Sequence, residues 1–167
     1  YDAMWDAFNA LQAEVSKIRM APKMTMGFEV NYKKLMELGM DWADYLGFET
    51  GEFLLELPTR SLPPDWERMV FQLQGKGYTV IIAHPERYKP VQENLDIVRQ
   101  FIGAGCKIQV SADFMGEGSF SPIKKTAKKL FEEDLVNFIA SDAHGPLAYE
   151  LLWRARKEFF AKGAHAR

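Results

Sequence analysis

Two short segments carry the residue types that hydrolysis at a phosphate requires: Ala83-His84-Pro85-Glu86-Arg87-Tyr88 and Ser141-Asp142-Ala143-His144. His84 ends an apolar run and is braced by Pro85, so its imidazole is directed beyond the run, where it can bind a metal as the neutral base. Arg87, in the same loop, can grip an anionic oxygen through paired N–H groups. Asp142 and His144 stand two residues apart where another apolar run stops, and offer one ion a carboxylate and an imidazole. The plain alternatives are a hydrogen-bonded core histidine at position 84 and a helix cap at Ser141 or Asp142. Three ligand types at the ends of two runs favour metal binding over both.

Glu29 sits on the polar face of a segment with period two, opposite Met24, Met26, Phe28 and Val30. In a barrel that face points to the axis, which makes Glu29 an acidic ligand; an ordinary solvent-facing glutamate fits the pattern equally well. Glu56 shares the ambiguity and is assigned only a supporting place behind the ligands. A mixed His, Asp and Glu set suits manganese, zinc or iron better than calcium or magnesium. Such ions activate water at neutral pH, and Arg87 would stabilise charge on a phosphoryl group. Hydrolysis of a phosphoester uses every one of these parts.

The elements that must position these residues alternate. A helical stripe of Met4, Trp5, Phe8, Leu11, Val15 and Ile18 opens the chain, and a strand is expected from Lys23 to Val30. Short helical turns follow around 32–38 and 41–46. Strands are then expected at 53–57, 78–83, 107–111 and 136–140. The helices between and after them bury Trp66, Met69, Val70 and Leu73; Leu95, Val98, Phe101 and Ile102; Ile123, Ala127, Leu130 and Phe131; and Ala148, Leu152, Ala155 and Phe159. Strand and helix alternate without a hairpin signal, so the fold class is α/β with a parallel sheet, open or closed into a barrel. Such folds place chemistry at the C-terminal ends of their strands, where Glu29, Glu56, His84, Glu86, Arg87, Ser111, Asp113, Ser141, Asp142 and His144 fall.

Composition narrows the function further. With 167 residues, 47% hydrophobic and 26% charged, the chain is expected to form one domain over 1–167. A net charge of -2 gives no footprint for nucleic acid. No apolar run approaches the roughly 20 residues of a membrane-spanning helix. Cys106 is the single cysteine, which removes disulfides within the chain and points to the cytoplasm. A thiol phosphatase needs an arginine six residues after its cysteine, and position 112 is Ala112. Lys124, Lys125, Lys128 and Lys129 form a solvated helix face, and His165 receives no role.

Gly27-Phe28-Glu29-Val30, Leu55-Glu56-Leu57-Pro58, the His-Pro-Glu-Arg-Tyr segment and Ala140-Ser141-Asp142-Ala143-His144 occur in the order found in one known family. The chain resembles the polymerase and histidinol phosphatase (PHP) superfamily, and within it the bacterial capsule-biosynthesis tyrosine phosphatases. The resemblance implies a distorted, TIM-like parallel barrel of the PHP type holding several metal ions, usually manganese. It implies Glu29, His84, Asp142 and His144 as metal ligands and Arg87 as the catalytic, phosphate-binding residue. The substrate it implies is phosphotyrosine on a capsule or exopolysaccharide tyrosine kinase.

The family pattern opens with a His-x-His strand, and no histidine precedes Glu29, so the first strands of the barrel are expected to be missing. An arginine expected soon after the Asp-x-His pair is also absent, the next being Arg154. A histidinol-phosphatase-like activity on small phosphates, and a non-catalytic binding module, stand as the alternatives. Self-assembly is left open.

Overall fold

In the computed structural model the apolar runs become five strands: β1 (Glu29–Asn31), β2 (Glu52–Glu56), β3 (Thr79–Ala83), β4 (Lys107–Ser111) and β5 (Phe138–Ala140). The structure describes residues 1–160, and His165 lies outside the described residues. The helices are α1 (Asp2–Val15), α2 (Tyr32–Leu38), α3 (Ala43–Leu46), α4 (Trp66–Gly75), α5 (Lys89–Glu93), α6 (Asp96–Gly103), α7 (Pro122–Glu132) and α8 (Leu147–Ala155). Every strand pairs in parallel with the next in sequence, giving the order β1-β2-β3-β4-β5. A parallel sheet wound in one direction keeps its crossovers on one face, as in a barrel wall, whereas a doubly wound sheet reverses its order. The expected α/β parallel architecture is therefore present.

Period two sorts the strand residues between the faces. Phe53, Leu55, Val80, Ile82, Ile108 and Val110 are fully buried against Trp66, Leu73, Phe101 and Leu130 of the helices. The opposite face carries a small apolar patch of Leu54, Ile81 and Ala83, with Phe48 and Phe138 packed on it. Above this patch, toward the C-terminal strand ends, the inner face turns polar. The register Asn31↔Glu56 sets two polar side chains in one row, with Glu29 one step behind.

Three helices hand over to the next strand by one device. After α4, Gly77 N–H donates to Gln74 C=O and Tyr78 N–H to Leu73 C=O; after α6, Gly105 and Cys106 repeat the pattern on Ile102 and Phe101. This double bond needs a left-handed residue, and the glycines supply it at φ 93° and 83°. After α7 the same pair of bonds runs from Asp134 to Phe131 and from Leu135 to Leu130, with Asp134 itself at φ 55°.

The first expected strand is the main correction. Residues 24–30 alternate in burial as the sequence suggests except at half-buried Gly27, but ladder pairing covers only Glu29–Asn31. The carbonyl of Glu52, where β2 begins, accepts the Phe48 N–H at 2.8 Å, and the Phe28 N–H turns to Leu46 C=O instead. Gly27 lies so close to the Phe48 ring that a Cβ there would fall 2.3 Å from it. The loop thus fills the space a longer ladder would use. The opening helix forms, but none of its residues is fully buried; Trp5, Phe8 and Val15 of its apolar stripe are half-buried. Ile102 is 38% exposed rather than buried, and Leu151 takes a core place in α8.

Candidate metal centre

At the end of β3 the backbone breaks sharply. His84 adopts φ 34°, ψ 55°, a left-handed conformation that the following proline does not favour, while its N–H still bonds Gln109 C=O at 2.7 Å. The short 3-10 turn Pro85–Arg87 follows. Buried Tyr88 braces this bend: its hydroxyl donates to Ala83 C=O at 2.7 Å and accepts from Leu57 N–H at 2.9 Å, tying the ends of β2 and β3. The Tyr88 ring stands edge-on to the imidazole, with centroids 6.0 Å apart. Fully buried Glu86 accepts the Ser111 N–H at 3.0 Å and ties the same turn to β4; burial pushes its carboxyl up to about 7.

The bend delivers the His84 imidazole to the two inner-face glutamates. Nε2 lies 2.9 Å from Glu29 Oε1 and 3.7 Å from Glu56 Oε1. Asn31 Nδ2 donates to Glu56 Oε2 at 2.8 Å and holds that carboxylate in place. One ligand atom each from Glu29, Glu56 and His84 lie within 4.8 Å of one another. Burial opposes a charge on His84, yet the hydrogen bond its Nε2–H donates to Glu29 and the surrounding carboxylates outweigh it, so the imidazole's pKa is raised overall. Two carboxylates converging on one imidazole nitrogen are a donor set that could hold a cation, and these residues fit a divalent transition metal.

Arg87 leaves the same turn in another direction. Its Nη2 donates to Asp142 Oδ2 at 2.5 Å, to Asp113 Oδ2 at 2.7 Å and to Ser111 Oγ at 3.2 Å. Asp142 sits at φ 47°, just past β5. The side chain of His144 is 89% exposed, and its Nδ1 lies 2.9 Å from the Asp142 carbonyl.

The structure thus unites Glu29 and His84 of the four expected ligands, adds Glu56, and leaves Asp142 on Arg87 with His144 outside the cluster. Glu56 joins the cluster through register, since it ends β2 level with the end of β3. Asp113 had no motif to mark it beyond its place two residues past β4. Cys106 is buried, and burial pushes its thiol up to about 12, which unfits it as a nucleophile.

The comparison with known families settles the kinship: the family described as capsular polysaccharide synthesis, CpsB/CapC, matches residues 1–149. The chain belongs to the CpsB/CapC family. Among relatives in that family, CapC of Staphylococcus aureus is 30% identical over 150 residues, covering 87% of this chain and 58% of that protein. Tyrosine-protein phosphatase YwqE of Bacillus subtilis (strain 168) is 31% identical over 116 residues, 66% of this chain and 46% of its own length. Tyrosine-protein phosphatase CpsB of Streptococcus pneumoniae is 39% identical over 74 residues, 41% of this chain and 30% of its own length. The chain spans about half the length of the first two of these curated relatives. A structure from work on YwqE and CpsB, described as metal-dependent tyrosine phosphatases, superposes with a TM-score of 0.75 at 27% identity. That match covers 94% of this chain and 66% of the other.

Proposed function

We propose that this CpsB/CapC chain is the metal-binding and phosphate-gripping part of a manganese-dependent protein-tyrosine phosphatase. Its substrate is phosphotyrosine on a capsule tyrosine kinase, and its place is the cytoplasm. The observation that carries this is the convergence of Glu29, Glu56 and His84 beside a turn that also presents Arg87. Among the described residues no helix is long and apolar enough to cross a membrane, which accords with that location.

Glu29, Glu56 and His84 would hold the ion, with Asp142 and His144 joining from the end of β5. A transition metal in this place supplies a nucleophile from water at neutral pH and polarises a phosphoryl oxygen. The protein's own part is positional. Asn31 fixes the Glu56 carboxylate, and Tyr88 and Glu86 hold the turn that sets His84 and Arg87. The Arg87 guanidinium binds phosphoryl oxygens and stabilises the charge they gain as the bond to the tyrosine oxygen breaks. Water oxygen ends on phosphorus, and the tyrosine oxygen leaves and takes up a proton.

The test is phosphate release from a phosphotyrosine peptide and from histidinol phosphate, with manganese added. Turnover of the peptide and not of histidinol phosphate is expected. The reverse preference would contradict the proposal.

A further inference from the structure

Arg87 has more carboxylate partners than a phosphate grip needs, and this bears on how Asp142 becomes available to a cation. Nη2 of Arg87 is shared between Asp142 at 2.5 Å and Asp113 at 2.7 Å, with Ser111 Oγ at 3.2 Å. The Asp142 side chain is 15% exposed, so its carboxylate is held in the interior facing this guanidinium. Asp113 opens the turn that follows β4, its Oδ2 on Arg87 and its Oδ1 buried without a hydrogen-bond partner. Glu86 fixes the adjacent Ser111 N–H, so the base from which Asp113 projects is tied to the turn that carries Arg87.

A cation that recruits Asp142 through Oδ2 must take that oxygen from Arg87. Without Asp113, the part-buried guanidinium would lose its last directly bonded carboxylate at that moment, and a buried charge left without a hydrogen-bonded partner charge is costly. With Asp113 in place it keeps one.

We infer that Asp113 is a positioning residue that retains Arg87 beside the site while releasing Asp142 to the metal. It rests on the reading of Asp142 as a ligand and Arg87 as the phosphate grip. Asp113 itself binds neither metal nor phosphate. Removing it leaves Asp142 as the one carboxylate hydrogen-bonded to Arg87, beside Ser111 Oγ, so the guanidinium competes harder with the cation for that carboxylate. Removing Arg87 as well abolishes the competition.

The test is a double-mutant cycle read by calorimetric titration of Mn2+ into the chain, with thermal unfolding of each protein as the check on folding. The proteins are wild type, Asp113→Asn, Arg87→Gln and the double variant, with Asp113→Ser as the second variant should Asp113→Asn not fold. Asp113→Asn is expected to weaken Mn2+ binding about tenfold in the wild-type background and less than about twofold once Arg87 is glutamine. A merely structural or long-range charge effect would give the same loss in both backgrounds, and that result overturns the proposal while leaving the metal site standing. No loss in the wild-type background overturns it as well. Failure of the wild-type chain to bind Mn2+ at all would instead remove the reading on which the proposal rests, and the proposal with it.

Discussion

A cation held among Glu29, Glu56 and His84 would take the place of the proton between Nε2 and Glu29. Each of these side chains would then offer one ligand atom, and Glu56 is already oriented by Asn31. Glu56→Gln keeps the shape and the bond to Asn31 but gives up the charge. It is expected to lower Mn2+ affinity about tenfold or more, measured by titration calorimetry; an unchanged affinity would remove Glu56 from the site. At this scale the sequence showed His84 and Arg87 well, because the proline and the neighbouring residue types mark them. It undervalued Glu56, because a glutamate at a strand end looks the same whether it faces solvent or a barrel axis, and only pairing register tells them apart. The Asp113 contact to Arg87 joins residues 26 apart on different loops, and nothing local announces it.

Handover from helix to strand is where single elements show their strain. Gly77 and Gly105 adopt the left-handed conformation freely, whereas Asp134 adopts it with a Cβ at φ 55°. Asp134 is exposed, so little else depends on its side chain. Asp134→Gly is therefore expected to stabilise the fold by about 1 kcal/mol, read from chemical denaturation midpoints at unchanged slope. A loss of stability would show that the aspartate's other interactions outweigh its backbone cost. The helices and strands β2 to β5 were legible in the sequence because apolar periodicity and glycine punctuation agreed there. The segment before Glu29 was not, since its alternation records which side is buried while ladder formation depends on a free neighbouring backbone, and Phe48 already occupies it.

For the molecule as a whole, the sheet is sealed by helices on one face, while its other face rises from a small apolar patch to the polar rim that holds the site. Ligands drawn from β1, from β2 and from the end of β3 would make an ion a cross-link between strands distant in sequence. Mn2+ at about a hundred times its dissociation constant should add roughly 3 kcal/mol of stability and raise the thermal midpoint by several degrees, with EDTA reversing the shift. Absence of any shift would mean that the ion does not bind the folded chain at the expected site. The parallel topology was readable from strand and helix alternation. The winding of all strands in one direction was not, because strand order is a property of three-dimensional packing that local periodicity does not encode.

At the strand ends of this chain, Glu29, Glu56 and His84 are placed to build a metal centre. The most direct test of this is an anomalous difference map from a crystal of the chain soaked in manganese, recorded near the manganese absorption edge. A peak bonded to a carboxylate oxygen of Glu29, a carboxylate oxygen of Glu56 and Nε2 of His84 is the result predicted. A map with no peak between those three side chains, or with manganese bound only elsewhere, would contradict it.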